Sequence, residues 1–160
     1  MSSRTPSTLI LALGNPIARD DQVGLRVGAR LAEELAALPA TELREFSGSP
    51  LDLVAEAGGC DRLVLLDAVC TGREAGTVIS FTEEQLAAAG GDTYPHGLNV
   101  PEALALGRRM GLPVPRNVNI IGIEAAPIRE FGEALSPELA GKLDEITREA
   151  RRILMGLLRP

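Results

Sequence analysis

Leu9-Ile10-Leu11-Ala12-Leu13-Gly14-Asn15-Pro16 places five apolar residues in succession before a cluster of turn-forming ones. A strand buried on both faces of a parallel sheet reads this way, because helices cover each side and neither set of alternate positions meets water. Beyond the turn, Val23, Val27, Leu31 and Leu35 recur every four residues, while Arg26, Arg30, Glu33 and Glu34 fall between them. That spacing predicts an amphipathic helix ending before Pro39. A strand, a turn and a helix in this order open an α/β fold.

The alternation continues downstream. Thr41–Phe46 reads as a further strand, and Ser49-Pro50 supplies an N-cap and a first-turn proline for a short helix stopping at Gly58-Gly59. Leu63–Leu66 is another continuous apolar strand, expected to close at Asp67, and Thr77–Phe81 is an extended run reached through a glycine-bounded loop. Glu83–Ala89 has the length of one or two helical turns, which Gly90-Gly91-Asp92 breaks. Thr93–Asn99 reads as loop, with Asn99 and Pro101 signalling a helix over 102–110. Val118–Ile123 is the last strand. Ser136-Pro137 then opens a long helix whose Leu139, Leu143, Ile146, Ala150, Ile153 and Leu157 share a face. The prediction is a three-layer α/β/α sandwich around a mostly parallel, twisted sheet. It is read as one domain over residues 1–160, with residues 1–8 as a flexible tail.

Sixteen Lys and Arg against 22 Asp and Glu leave the 160-residue chain at −6, a field that repels phosphate backbones and anionic headgroups. Aromatic residues make up 2% of the chain, too few to provide stacking platforms for bases. Neither nucleic acid nor a membrane is therefore expected as a partner. The apolar run Leu9–Leu13 is short for a signal-peptide core and far short of a membrane span, so a cytoplasmic protein is expected, and it is read as a monomer. Cys60 and Cys70 flank the Leu63–Leu66 strand, too far apart for a disulfide and wrongly spaced for a zinc site, so both read as free thiols.

In open α/β sheets the ligand crevice lies beyond the carboxyl ends of the strands. Three features belong there: Asp20 and Asp21 in the loop after the first strand, Asp67, and His96, the only histidine of the chain. Each has a plainer role: Asp20 or Asp21 as the N-cap of the helix near Val23, Asp67 as an Asx hydrogen-bonding group in a turn, His96 as a surface residue. Brought together, two carboxylates and one imidazole form a mixed oxygen and nitrogen donor set. Such a set suits a borderline divalent ion such as Ni²⁺ or Zn²⁺ and leaves positions open for outside ligands. The first turn is not a dinucleotide fingerprint, since no GxxG follows Gly14 and Asp20-Asp21 would face a pyrophosphate that needs bare N–H groups. The sequence contains no GxxxxGK[ST] and no GxSxG, and a single histidine cannot supply HExxH.

Gly14-Asn15-x4-Asp20-Asp21-x2-Gly24, Leu66-Asp67-Ala68, Pro95-His96-Gly97-Leu98, Ile121-Gly122-Ile123-Glu124 and Leu135-Ser136-Pro137 occur in this order. Over residues 9–158 the chain resembles the [NiFe]-hydrogenase maturation proteases. The resemblance implies an endopeptidase that removes a C-terminal extension from the hydrogenase large-subunit precursor after nickel insertion. It implies a metal-binding trio at Asp21, Asp67 and His96, with the nickel carried by the substrate and the precursor as partner. One departure is Gln22, where the family usually has glycine, a residue suited to unusual backbone conformations. On this reading the ion polarises the scissile carbonyl or activates a water, and Asp21 or Asp67 accepts the proton. Two other readings use the same residues: a related peptidase, such as the spore endopeptidases, with Asp21 and Asp67 as an acid pair; or a nickel-sensing or metallochaperone module that cleaves nothing.

Overall fold

The computed structural model describes residues 6–89, 100–127 and 130–159. In chain order these form β1 (Thr8–Leu13), α1 (Val23–Ala36), β2 (Thr41–Phe46), α2 (Pro50–Glu56), β3 (Arg62–Val69), β4 (Val78–Thr82), α3 (Glu83–Ala89), α4 (Val100–Arg109), β5 (Asn117–Glu124) and α5 (Pro137–Leu158). A 3-10 turn, Arg19–Gln22, precedes α1. The strands lie in the order β2-β1-β3-β5-β4, with β4 antiparallel to β5 and every other pair parallel. The continuous apolar runs occupy the three central strands, as the buried-strand reading requires.

Alternate residues of the central strands feed two separate cores. Ile10, Ala12, Val64, Leu66, Ile121 and Ile123 pack with the apolar stripes of α1 and α5 on one face of the sheet. Leu9, Leu11, Leu63, Leu65, Val118 and Ile120 pack with α2, α3 and α4 on the other. The expected three layers and mostly parallel sheet are therefore present. The stripe of α5 runs through Leu139, Leu143, Ile146, Ala150 and Leu154, whereas Ile153 and Leu157 are only partly buried. After Ala150 the 3.6-residue period carries the buried face to Leu154. The start of α2 is as read: Ser49 and Asp52 form a reciprocal capping box.

Two expectations are corrected. β3 does not end at Asp67 but continues through Ala68 and Val69, because β5 extends alongside it and pairs Gly122 with Asp67. Nor does a tail extend through residue 8. Thr8 pairs with both Thr41 and Arg62, and Ser7 accepts from the backbone N–H groups of Asp61 and Arg62. The breaker and loop expected over 90–99, with His96 inside it, lie outside the described residues. Among the described residues no helix is long and apolar enough to cross a membrane.

The start of α1 sits directly on the carboxyl ends of β1 and β3. A Cβ at Gly24 would stand 2.4 Å from the Leu66 carbonyl oxygen and 2.7 Å from that of Leu13. Backbone atoms cannot yield to such contacts as a flexible side chain can, so this position requires glycine. Gly141 is the opposite case, an exposed α5 position where a Cβ would meet nothing within 4 Å. We expect G24A to lose about 2 kcal/mol or more, a fall in Tm of roughly 4–8 °C. G141A should gain roughly 0.5–1 kcal/mol through helix propensity. Thermal melting followed by circular dichroism checks both, and equal behaviour of the two variants would contradict the packing described.

Candidate functional site

The loop from Gly14 to Gln22 folds back on itself at the carboxyl edge of the sheet. Gly14 has φ +150°, and a Cβ there would lie 2.4 Å from the Asp21 carbonyl oxygen. Asn15 donates its N–H to Asp21 Oδ2 at 2.8 Å, while its own Oδ1 accepts from Ile17 N at 3.1 Å. Asp21 is thereby turned inward and is 2% exposed. Neither Asp20 nor Asp21 caps α1: Gln22 holds the N-cap position without a side-chain cap. Asp20 Oδ1 instead accepts from the backbone N–H of Ser136 at 2.7 Å, joining the first loop to the residue that caps α5.

Gln22 does not occupy a glycine conformation. Its backbone is at φ −81° and ψ 0°, open to any residue. The buried side chain donates from Nε2 to the Glu133 carbonyl at 2.8 Å and accepts at Oε1 from Arg26 Nε at 3.0 Å. Arg26 Nη2 reaches the same carbonyl at 3.0 Å. Together with the Ala18–Gly132 bridge, these bonds tie the first loop to the segment before α5. Sequence reading did not find this clamp, because nothing local in 130–136 announces a partner more than a hundred residues away.

Asp67 is fully buried in the middle of the sheet and accepts at Oδ1 from the N–H of Ala68 at 2.8 Å. By strand alternation it falls on the α2–α4 side, in step with Leu63, Leu65 and Val69. The 3-10 turn carrying Asp21 packs against β3. Gly24, three residues after Asp21, lies against the carbonyl of Leu66, the residue before Asp67. The structure thus brings the backbones bearing the two predicted carboxylates to one edge. The third predicted residue, His96, is outside the described residues. Among the described residues no three His, Cys, Asp or Glu side chains are grouped to hold a metal ion.

A further acid at this edge escaped notice as a working residue. Glu124, 3% exposed at the end of β5, accepts from Thr71 N at 2.7 Å, Gly72 N at 3.0 Å and Thr71 Oγ1 at 2.6 Å. It organises the loop that follows β3. Cys70, in that loop, donates its S–H to the Ala125 carbonyl at 3.0 Å. Burial pushes the Cys70 thiol up from its ordinary pKa, and the charges of Glu124 and then Asp21 push it further. Cys60 is also raised, chiefly by burial. Both cysteines are free, as the sequence implied.

The hydrogenase maturation protease family model matches residues 26–153, most of the chain. The chain belongs to this family. Asp67 and His96 fall inside the matched range, and Asp21 just before it. Among curated relatives, the hydrogenase expression/formation protein HupD of Rhodobacter capsulatus is 27% identical over 148 residues, 91% of this chain and 70% of the relative. Among solved structures, the [NiFe] hydrogenase maturation protease HybD from Thermococcus kodakarensis is 27% identical with a TM-score of 0.66, covering 91% of this chain and 97% of that one. The hydrogenase maturating endopeptidase HybD from E. coli superimposes with a TM-score of 0.71 at 19% identity, over 93% of this chain and 92% of that one, a likeness of fold. This maturation protease is accordingly a peptidase, and its mixed five-stranded sheet is the family's.

The thiol environments give a direct check. A raised pKa leaves less thiolate at pH 8, so Cys70 and Cys60 should alkylate with iodoacetamide more slowly in the native protein than in urea, with Cys60 the slower of the two. Intact-mass spectrometry reads the time course. Native labelling as fast as denatured labelling would contradict the burial described.

Proposed function

We propose that this peptidase removes the C-terminal extension of a [NiFe]-hydrogenase large-subunit precursor once nickel is in place, with Asp21, Asp67 and His96 meeting the substrate's nickel. One observation carries the reading: the turn bearing Asp21 packs on β3 where that strand reaches Asp67, so two buried acids share the edge at which α/β enzymes bind ligands. Hard oxygen and borderline imidazole donors complement a nickel ion already held by softer ligands of the substrate. The metal arrives as part of the substrate. Its engagement would hold the scissile peptide in reacting position, which makes cleavage conditional on nickel.

Within the chain, the work is positioning and proton transfer. Asn15 N–H holds one oxygen of Asp21, and Ala68 N–H holds one oxygen of Asp67, fixing both carboxylates before substrate arrives. One of them takes the proton of the attacking water as it adds to the carbonyl, and returns it to the leaving amine. The two acids are attached to rigid elements, a requirement for a site that must hold its geometry.

The test mixes the purified protein with nickel-loaded and nickel-free precursor and weighs the products by mass spectrometry. Only the loaded precursor should lose its tail. D21N, D67N and H96A should each slow cleavage roughly 10²-fold or more while still melting cooperatively. Equal cleavage of both precursors would remove nickel from the proposal. Tight binding of the loaded precursor without cleavage would make the chain a metallochaperone.

A further inference from the structure

The two edges of the sheet are built differently. β2, at one edge, carries Glu42, Arg44 and Glu45, and Arg44 pairs with both Glu42 and Glu56. Charges on an edge strand discourage pairing with another chain, because an incoming strand would have to displace or desolvate them. β4, at the other edge, reads Val78-Ile79-Ser80-Phe81-Thr82, with no charge and no proline.

The register shows which groups of β4 are open. In an antiparallel pair, alternate residues turn their main-chain N–H and C=O toward the neighbouring strand or away from it. The Thr82 N–H donates to Gln85 Oε1 at 2.9 Å and not to β5. Thr82 therefore faces outward, and so, two and four residues earlier, do Ser80 and Val78. Among the described residues nothing bonds to the main-chain groups of Val78 or Ser80 on that side, and Ser80 is exposed. At its start the strand bulges: the Gly76 N–H donates to the Glu124 carbonyl and the Glu124 N–H to that of Thr77, both at 2.8 Å, so two residues oppose one. The pairable stretch thus begins beside the carboxyl edge of the sheet.

The same register ties this strand to the acids. Asp67 is paired with Gly122, and Gly122 with Ile79, so all three lie on one row across the sheet. A further strand laid on β4 would cross that row about 14 Å from Asp67, at ~4.8 Å per strand. About four extended residues span that distance.

We infer that β4 takes up the extension being removed as a sixth strand of the sheet, starting about four residues beyond the cleaved bond. The inference rests on the protease reading above and adds where the discarded segment lies. The nickel-bearing body of the precursor meets Asp21 and Asp67, so the segment past the cleaved bond is the part left to run outward. Leaving the carboxyl edge, it travels in the direction of β4, which descends from that edge antiparallel to β5, and the pairing is parallel. The N–H and C=O groups of Val78 and Ser80 hold it, and the neutral strand favours an uncharged stretch of the extension. A second copy of this chain fits less well. Antiparallel self-pairing would bring the Glu84 end of one β4 beside Glu74 of the other, in a chain already at −6.

Pulse-labelled hydrogen exchange on the parent protein, at times short of turnover, tests this without a variant. Nickel-loaded precursor should slow exchange of the Val78 and Ser80 amides about tenfold or more, and the processed subunit, which lacks the extension, should leave them unchanged. Two variants add a kinetic test. S80P removes an outward N–H without breaking a β4–β5 bond, whereas S80A keeps that N–H. S80P leaves a carbonyl of the extension unpaired, so KM for the precursor should rise about tenfold. Its kcat should stay within about threefold, because the strand binds away from the reacting atoms. S80A should match the parent in both. Unprotected amides while the precursor is cleaved would overturn the sixth strand alone. Equal protection by the processed subunit would assign the edge to another part of the substrate, and protection that disappears when the free protein is diluted would assign it to a second copy; either overturns the proposal. A rise in KM shared by S80A would make the serine side chain responsible and overturn it too. A parent protein that cleaves no precursor would overturn the protease reading and the sixth strand with it.

Discussion

The close approach of α1 to the carbonyl ends of β1 and β3 is the constraint on which the rest of the site depends. It is possible because Gly24 presents no Cβ to the Leu13 and Leu66 carbonyls, and because Gly14 lets the preceding turn fold against the Asp21 carbonyl. A helix starting one side chain farther out would lift the 3-10 turn off β3 and carry Asp21 away from Asp67. Three long-range ties hold the turn down. Asp20 bonds the N–H of Ser136, Gln22 and Arg26 share the Glu133 carbonyl, and Ala18 bridges Gly132. The edge is thus a knot of the chain's beginning and its last quarter, and the site residues inherit its rigidity.

Burying carboxylates is unfavourable unless donors or cations meet them. Among the described residues, backbone N–H groups donate to all three buried acids. Glu124 takes two and a hydroxyl, Asp21 takes that of Asn15, and Asp67 takes that of Ala68. These donors orient the acids, and three buried carboxyl groups are gathered at one end of the sheet. Burial first, and then the charges of Glu124 and Asp21, raise the Cys70 thiol and keep it an inert packing group rather than a nucleophile.

Much of this was legible in the sequence, and the parts that were not share a cause. The continuous apolar runs gave β1, β3 and β5, and four-residue periodicity gave α1 and α5, since central strands and two-layer helices leave strong patterns. The end of β3 was misread because Asp67 is polar. Its neighbour β5 extends the pairing past it, so the side chain is buried within the strand instead of marking its end. Asp20 and Asp21 looked like helix caps by proximity to Val23, yet their partners are Ser136 and Asn15, set by tertiary contact. Gln22 looked like a glycine substitute. Its role is a clamp whose other half lies at Glu133 and which no local window contains.

The central claim is that oxygen ligands from Asp21 and Asp67 complete the coordination of nickel borne by the precursor. Nickel K-edge X-ray absorption on rapidly frozen mixtures tests it most directly. The precursor's nickel should gain oxygen ligands when the protease is added and should not gain them with D21N/D67N. A nickel shell unchanged by the parent protein, under conditions where cleavage proceeds, would contradict the assignment.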